Sequence, residues 1–100
     1  MTKGTQLFNF DIMVFNWDND KNEKLKKTRN ISFEDMVIAI EKGDMLDILE
    51  NPAKKYKNQI VIIVNFENYA YAVPAVKTEK EYFLKTIFPS RKYTHKYLKG

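Results

Sequence analysis

The sequence predicts an α+β domain whose elements follow the order β-α-α-β-β-β-β-α, with an antiparallel meander sheet and a C-terminal helix. Three observations lead to this prediction. An apolar stripe with helical spacing follows the capping residue Ser32, two β-rich runs flank Glu67-Asn68, and Ser90 can cap a last helix just after Pro89. The 100 residues suit one folding unit. We therefore predict a single domain over residues 1–100, with residues 1–6 disordered.

The N-terminal part predicts a strand and a short surface helix. The run from Phe8 to Trp17 is rich in aromatic and branched residues, which favours a strand. Asp20 and Glu23 have the spacing of a capping box and predict a helix from about Lys21 to Thr28. Asn30 tolerates a positive φ better than most residues, so we expect the helix to end there in a left-handed turn.

The second helix has the clearest local pattern. Ser32 is a good N-cap, Asp35 lies at the N3 position, and Ile31 can pack on Met36 as a hydrophobic staple. Gly43 stands where a helix-ending glycine is expected. The residues that share the predicted buried face are Phe33, Met36, Val37 and Ile40.

Strands are expected to fill most of the remaining chain. We predict a short strand from Met45 to Leu49 and a basic loop from Pro52 to Asn58. Two β-rich runs follow, from Ile60 to Phe66 and from Tyr69 to Val76, and Glu67-Asn68 can form a tight turn between them.

Two prolines shape the end of the predicted sheet. Pro74 has no amide proton for a strand ladder, which indicates a sheet edge or a bulge. The run from Tyr82 to Phe88 could begin as a helix, but its aromatic and branched content favours a strand. Pro89 ends that element, and Ser90 caps a final helix from Arg91 to Leu98.

Composition excludes several classes of protein. The chain has no cysteine, so it can form neither a disulfide nor a thiolate zinc site. No charge-free apolar run approaches the roughly 18 residues of a membrane span, and we expect a soluble, cytoplasmic protein. Glycine-rich phosphate loops and the common hydrolase motifs are absent, so we expect no cofactor. Asp18 and Asp20 resemble a metal-binding pair, but the helix start beside them favours capping, and we expect no metal.

The last sixteen residues, from Lys85 to Gly100, are the strongest functional signal. They contain no acid, two tyrosines, the only histidine and five cations, namely Lys85, Arg91, Lys92, Lys96 and Lys99. Cations among aromatic rings are what a surface needs to hold phosphates and bases. RNA is therefore the leading candidate partner. The residues that we expect to bind it are Lys26, Arg29, Lys54, Lys55, Lys57, Tyr93, Lys96 and Tyr97.

The last helix also carries side chains for metal-free RNA cleavage. Residues four apart share a helix face, which pairs Arg91 with His95 and Tyr93 with Tyr97. His95 has a natural pKa near neutrality and can transfer protons. Arg91 can grip a phosphate through two parallel hydrogen bonds. Either tyrosine could stack a base or lend a proton. A helix C-terminus also favours cations without any ligand, so the pattern permits this function without requiring it.

Two stretches resemble the BrnT family, small toxins of type II toxin–antitoxin systems. The first runs Phe15-Asn16-Trp17-Asp18, Lys21-Asn22-Glu23, Lys26-Lys27 and Ile31-Ser32-Phe33-Glu34-Asp35. It is similar to the family pattern W-D-x-x-K-x-x-x followed by K-H-G-V-S-F-E-E. The second, Ser90-Arg91-Lys92-Tyr93-Thr94-His95-Lys96-Tyr97, is similar to a shortened S-A-R-x-A-T-x-x-E-x-x-x-Y tail. The likeness covers about Phe15 to Leu98.

The resemblance implies a RelE-like fold, a ribonuclease that slows translation, and a cognate antitoxin that neutralises it in a hetero-oligomer. By position Arg91 matches the tail arginine, and Lys92 and Thr94 match its neighbours, so we expect Arg91, His95 and Lys92 to be the catalytic residues. The family histidine has no counterpart in Lys27-Thr28-Arg29-Asn30, and the tail glutamate is absent. A module that binds RNA or protein without cleaving anything is therefore the alternative.

Overall fold

The computed structural model describes residues 14–50 and 58–99, and it confirms the α+β class. The described elements are β1 (Val14–Trp17), α1 (Asn19–Arg29), α2 (Phe33–Glu41), β2 (Met45–Glu50), β3 (Gln59–Phe66), β4 (Tyr69–Lys77), β5 (Glu81–Leu84), β6 (Phe88–Pro89) and α3 (Arg91–Leu98). The predictions for residues 1–6, for the strand before residue 14 and for the loop at 52–57 lie outside the described residues.

The sheet has the strand order β1-β5-β4-β3-β2, and β6 pairs with β4. Strands β2 to β5 form the predicted antiparallel meander. The single strand predicted from Tyr82 to Phe88 is wrong, because β5 ends at Leu84 and Pro89, which was expected to end that strand, belongs to the separate strand β6. The expectation of an antiparallel sheet is wrong for β1, which pairs with β5 in parallel and makes the sheet mixed. Helices α1 and α2 connect β1, at one edge of the sheet, to β2 at the other edge. Because no hairpin joins β1 to its neighbour β5, the connection does not require these two strands to be antiparallel.

Helix α1 begins two residues earlier than its predicted start at Lys21. The N-cap is Asp18, not Asp20, and its Oδ1 accepts a hydrogen bond from the Asp20 amide at 2.9 Å. Glu23 does not close a capping box and instead pairs with Lys26 at 3.3 Å. Both aspartates are residues that suit an N-cap, so residue type alone does not decide between them. The left-handed exit at Asn30 is confirmed, with φ 56° and ψ 39°.

Helix α2 forms as its sequence predicts. The Ser32 Oγ accepts from the Asp35 amide at 3.1 Å, and an Asp35 carboxylate oxygen accepts from the Ser32 amide at 3.0 Å. Gly43 follows the helix with φ 93°, a conformation that few other residues adopt. The turn between β3 and β4 is also confirmed, because Glu67 and Asn68 have φ values of 53° and 64°. Two successive positive values are the signature of a type I′ hairpin turn.

Of the two alternatives predicted for Pro74, the sheet edge is wrong and the local irregularity is found, because three residues between β5 and β6 oppose two residues of β4 at this point. Pro74 lies inside the central strand β4, directly opposite Val61 in a continuous register. On its other side, β5 pairs only up to Ala75 and β6 only from Ala72, which leaves a gap between them. The Lys85 amide donates to the Pro74 carbonyl at 2.8 Å. A strand residue directs its carbonyl and amide to the same side, so the missing donor faces this gap and interrupts no strand pair.

Both faces of the sheet are covered, by different helices. The larger core lies between the sheet and helices α1 and α2, and its members include Leu25, Phe33, Met36, Ile62, Val73, Leu84 and Ile87. The smaller core lies between the opposite face and α3, where Ile63, Ala70 and Ala72 are buried. The side chains of β3 therefore alternate between two apolar layers. Among the described helices, none is long and apolar enough to cross a membrane.

Candidate nucleic-acid interface

Helix α3 is fixed to the start of β4 by a group of polar contacts. As predicted, Ser90 is its N-cap, and its Oγ accepts from the Tyr93 amide at 3.1 Å. The Ser90 amide donates to the Ala70 carbonyl at 2.9 Å. Thr94 is only 2% exposed, and its Oγ1 accepts from the Ala70 amide at 2.8 Å while donating to the Ser90 carbonyl at 2.7 Å. Both backbone groups of Ala70 are thus bonded to the first turns of α3.

The remaining contacts of α3 divide the helix into two faces. Tyr93, Tyr97 and Leu98 pack on the smaller core, next to the buried Thr94. The residues that face outward are all exposed: Arg91, Lys92, His95, Lys96 and Lys99. This division follows from the helical period, since positions 93, 94, 97 and 98 lie on one side. The helix therefore presents a row of four cations and the histidine, with no carboxylate among its own side chains.

The structure brings the predicted pair Arg91 and His95 onto the same exposed face, together with Lys92 and Lys96. Arg91 belongs to the first turn and His95 to the last, so a phosphate between them could meet the Arg91 guanidinium and the His95 imidazole. This arrangement has the chemical groups of a phosphate-binding surface with one group capable of proton transfer.

Tyr97 is held at the sheet, which limits what it can do chemically. Its hydroxyl donates a short hydrogen bond to Oδ2 of Asp47 on β2. This bond, helped by the Ile48 amide, holds the pKa of Asp47 below its usual range. The same bond raises the pKa of Tyr97 above its usual value of 10.0. A phenol that already donates to a carboxylate is a poor general acid, so Tyr97 positions the helix.

Two lysines lie over the rings of the neighbouring tyrosines. The Lys92 ammonium is 5.3 Å from the centre of the Tyr93 ring, and the Lys96 ammonium is 5.2 Å from that of Tyr97. The two rings are 6.1 Å apart and tilted by 33°. Cations at these distances are attracted to the ring face. The aromatic and cationic groups of the expected RNA-binding set are therefore interleaved along α3.

Other residues of the expected set do not join this surface. Lys26 pairs with Glu23 on α1, whose Leu25 is buried in the larger core on the opposite face of the sheet. The Arg29 Nη1 donates to the Ile87 carbonyl at 2.6 Å, so Arg29 ties α1 to the segment between β5 and β6. The loop cations Lys54, Lys55 and Lys57 lie outside the described residues.

Sequence reasoning missed two residues that position the helix. Asp47 is only one of many acids in the central part of the chain, and no local pattern indicates that it meets Tyr97. Thr94 lies next to cations and aromatic residues that are more typical of a functional site. The helical period nevertheless predicts that Thr94 is on the face of the helix that packs on the sheet.

A metal centre has no support in the described part of the chain. Residues 14–50 and 58–99 contain no group of three or more histidine, aspartate or glutamate side chains placed to hold an ion. The pair Asp18 and Asp20 meets through an N-cap hydrogen bond, as the capping interpretation predicts.

Comparisons with models of known protein families, with curated proteins and with solved structures find no match to this chain.

Proposed function

We propose that this protein is the toxin of a type II toxin–antitoxin system, a RelE-like ribonuclease that inhibits translation without a metal ion. The observation that carries the proposal is the outward face of α3, where Arg91, Lys92, His95, Lys96 and Lys99 are exposed together. Such a row can neutralise several phosphates of an RNA backbone. The two stretches that resemble BrnT toxins support the same function.

In the proposed reaction, the 2′ oxygen of one ribose attacks the adjacent phosphorus, and the bond to the 5′ oxygen of the next nucleotide breaks. His95 takes the proton of the 2′ hydroxyl, and water protonates the departing 5′ oxygen. Arg91 and Lys92 stabilise the negative charge that gathers on the phosphorus oxygens. Because a single proton-transfer group serves the reaction, we expect slow cleavage.

A second function, RNA binding without cleavage, is favoured by one observation. The Tyr97 phenol donates to Asp47, and α3 carries no carboxylate, so the outward face offers His95 no second proton-transfer group of its own. Such a module would hold RNA through the same cations.

The proposed antitoxin would neutralise the toxin by covering the cationic face of α3 with an acidic segment. Complementary charge favours this contact and makes it sensitive to salt. We expect the purified complex to dissociate as the salt concentration rises, whereas a complex that persists at 1 M salt would indicate an apolar interface.

The test of the proposed function is induced expression in a bacterial host, with and without the neighbouring gene. Wild type is compared with Arg91→Ala and with Lys42→Ala, a matched control that removes one exposed cation from the end of α2. We expect growth arrest for wild type and Lys42→Ala, and relief by Arg91→Ala or by the neighbouring gene. Full toxicity of Arg91→Ala would contradict the role of Arg91.

Cleavage and binding are separated with purified protein and labelled RNA in the presence of a metal chelator. The toxin proposal expects cleavage by wild type and loss of cleavage with retained binding for His95→Gln. Intact RNA that is bound equally by both proteins would favour the non-catalytic function.

A further inference from the structure

A groove lies on the α3 face of the sheet, beside the helix, and the proposed function leaves it unused. Its volume is about 530 Å³, within the usual size of small-ligand sites. Val61, Pro74 and Val76 form the floor, Tyr93 lines it from α3, and Lys85 lines it from the end of β5.

The strand register explains why this floor is open. Val61 is paired with Pro74, and cross-strand partners share a face of the sheet. On the same face, Ile63 and Ala72 are buried in the core beneath α3, whereas the three floor residues are only half-buried. Helix α3 covers Ile63 and Ala72, and Tyr93 in its first turn borders the uncovered floor residues.

An aromatic ring with a lysine near it lines the groove from the helix, and a second such pair lies on β5 beside the floor residue Val76. On the helix side, the Lys92 ammonium is 5.3 Å from the centre of the Tyr93 ring. On the strand side, the Lys85 ammonium is 5.6 Å from the centre of the Phe83 ring. Phe83 is the register partner of Val76, so its side chain is on the face that bears the groove.

One end of the groove is lined by Gln59, which shares the groove face because its register partner is Val76. Its side-chain amide can both donate and accept hydrogen bonds. It can therefore meet the edge of an unpaired base, which presents amino groups, ring nitrogens and carbonyl oxygens. Glu50 also borders this end, but its register partner Ile60 is buried in the larger core, which places the Glu50 side chain on the opposite face of the sheet.

We propose that this groove binds one unpaired base of a single-stranded RNA, with the base on the apolar floor between Tyr93 and Phe83. The phosphates on either side of that base contact Lys85 and Lys92. The inference rests on the proposed function, and it specifies the RNA as single-stranded, because a base inside a duplex is stacked and paired and cannot enter a groove in a sheet. Stacking on aromatic rings tolerates any base, so the groove selects unpaired strands rather than a sequence.

The test is fluorescence anisotropy with a labelled ten-nucleotide RNA, used alone and as a duplex. We expect the single strand to bind wild type at least about fivefold more tightly, since stacking of one base contributes about 1–3 kcal/mol and each 1.4 kcal/mol is about tenfold in affinity. Val76→Tyr fills the groove without a change of charge, and Lys85→Gln removes the strand-side cation. Both variants should weaken single-strand binding more than duplex binding, while Lys80→Gln, which removes an exposed cation outside the groove, should bind both RNAs like wild type.

The outcomes separate this inference from the proposed function. If wild type binds neither RNA, both fail. If Arg91→Ala weakens RNA binding but Val76→Tyr and Lys85→Gln do not, the groove inference fails and the proposed function stands. If Val76→Tyr loses only the antitoxin, the groove belongs to the protein partner and the inference is overturned.

Photo-crosslinking keeps the test decisive should Val76→Tyr not fold. Single-stranded RNA that carries 4-thiouridine is irradiated with wild-type protein, and the crosslinked peptides are identified by mass spectrometry. Crosslinks at Tyr93 and within residues 74–76 or 83–85 support the groove. Crosslinks confined to the outward residues of α3 overturn it.

Discussion

The hydroxyl of Tyr97 donates a hydrogen bond to Asp47, which joins the last turn of α3 to the edge strand β2 across 50 positions of sequence. The other oxygen of this carboxylate accepts from the Ile48 amide at 2.8 Å. One side chain therefore holds the end of the cationic helix and occupies a backbone donor of an edge strand. Occupied edge donors discourage pairing with another chain.

Tyr97→Phe should lower the stability of the fold at neutral pH and raise the pKa of Asp47 toward its usual value of 3.8. Since the folded pKa is depressed, this contribution is present above the unfolded pKa and is lost as the pH falls through the folded value. The stability difference between variant and wild type should therefore shrink in acid. Denaturation between pH 2 and 8, with NMR titration of the Asp47 carboxyl, measures both effects.

The alkaline side gives an independent check of the same contact. The folded pKa of Tyr97 is raised, so its contribution is complete below the unfolded value of 10.0 and is lost as the pH rises through the folded one. Tyr93→Phe, which leaves the Asp47 contact in place, is the matched control. An Asp47 pKa that does not change in Tyr97→Phe would contradict the contact.

Thr94→Val should cost about 1–3 kcal/mol, because it leaves the buried Ala70 amide without its acceptor. The substitution keeps the shape of the side chain and removes only its hydrogen-bonding group. Thr94→Ser retains the hydroxyl and should cost less. Urea denaturation of the three proteins tests this order, and a valine variant as stable as the serine variant would contradict the anchoring role.

Asn22→Ala should destabilise the fold by about 1–3 kcal/mol, since Asn22 is 2% exposed and both polar atoms of its side-chain amide form hydrogen bonds. Its Oδ1 accepts from the Phe33 amide, and its Nδ2 donates to Glu34, each at 2.8 Å. Thermal unfolding measures the loss, with exposed Asn19→Ala as the control. NMR should also show the lowered Glu34 pKa rising in Asn22→Ala, because the Asn22 bond is its largest cause.

The double variant Glu67→Asn with Asn68→Gly should stabilise the fold by about 1 kcal/mol. Both positions have positive φ, which asparagine and glycine adopt at lower cost than glutamate. The melting temperature provides the measurement. Glu79→Asn, outside the hairpin turn, controls for the loss of one negative charge, and an equal effect of both changes would point to charge instead of backbone conformation.

The affinity for single-stranded RNA should fall linearly with salt on logarithmic axes, because phosphate contacts release counterions. Removing one contacting cation from α3, as in Lys96→Ala, should reduce the slope by about 0.7. Lys42→Ala on α2 should leave the slope unchanged. Anisotropy at four salt concentrations tests this, and equal slopes for all three proteins would remove Lys96 from the interface.

Local patterns were sufficient for the features that a few neighbouring residues control. The Ser32 and Asp35 capping pair, the Asn30 exit, the turn at Glu67-Asn68 and the Ser90 cap all form where the sequence predicts them. Each of these features depends on backbone groups within four residues, so the local sequence determines its stability. The outward row of cations on α3 follows for the same reason, from the helical period alone.

Pairings between distant segments were decided only in the tertiary structure. Nothing in residues 14–17 specifies that β1 lies parallel to β5, and Pro74 looks like an edge residue until the gap between β5 and β6 is seen. The contact of Tyr97 with Asp47 and the groove beside α3 likewise depend on how the helix lies on the sheet. By itself the sequence determined the helices, the turns and the charged face of α3, because interactions between residues close together in the chain stabilise each of them. The tertiary structure decided strand partners and the shape of the surface, because those depend on burial shared between segments far apart in the chain.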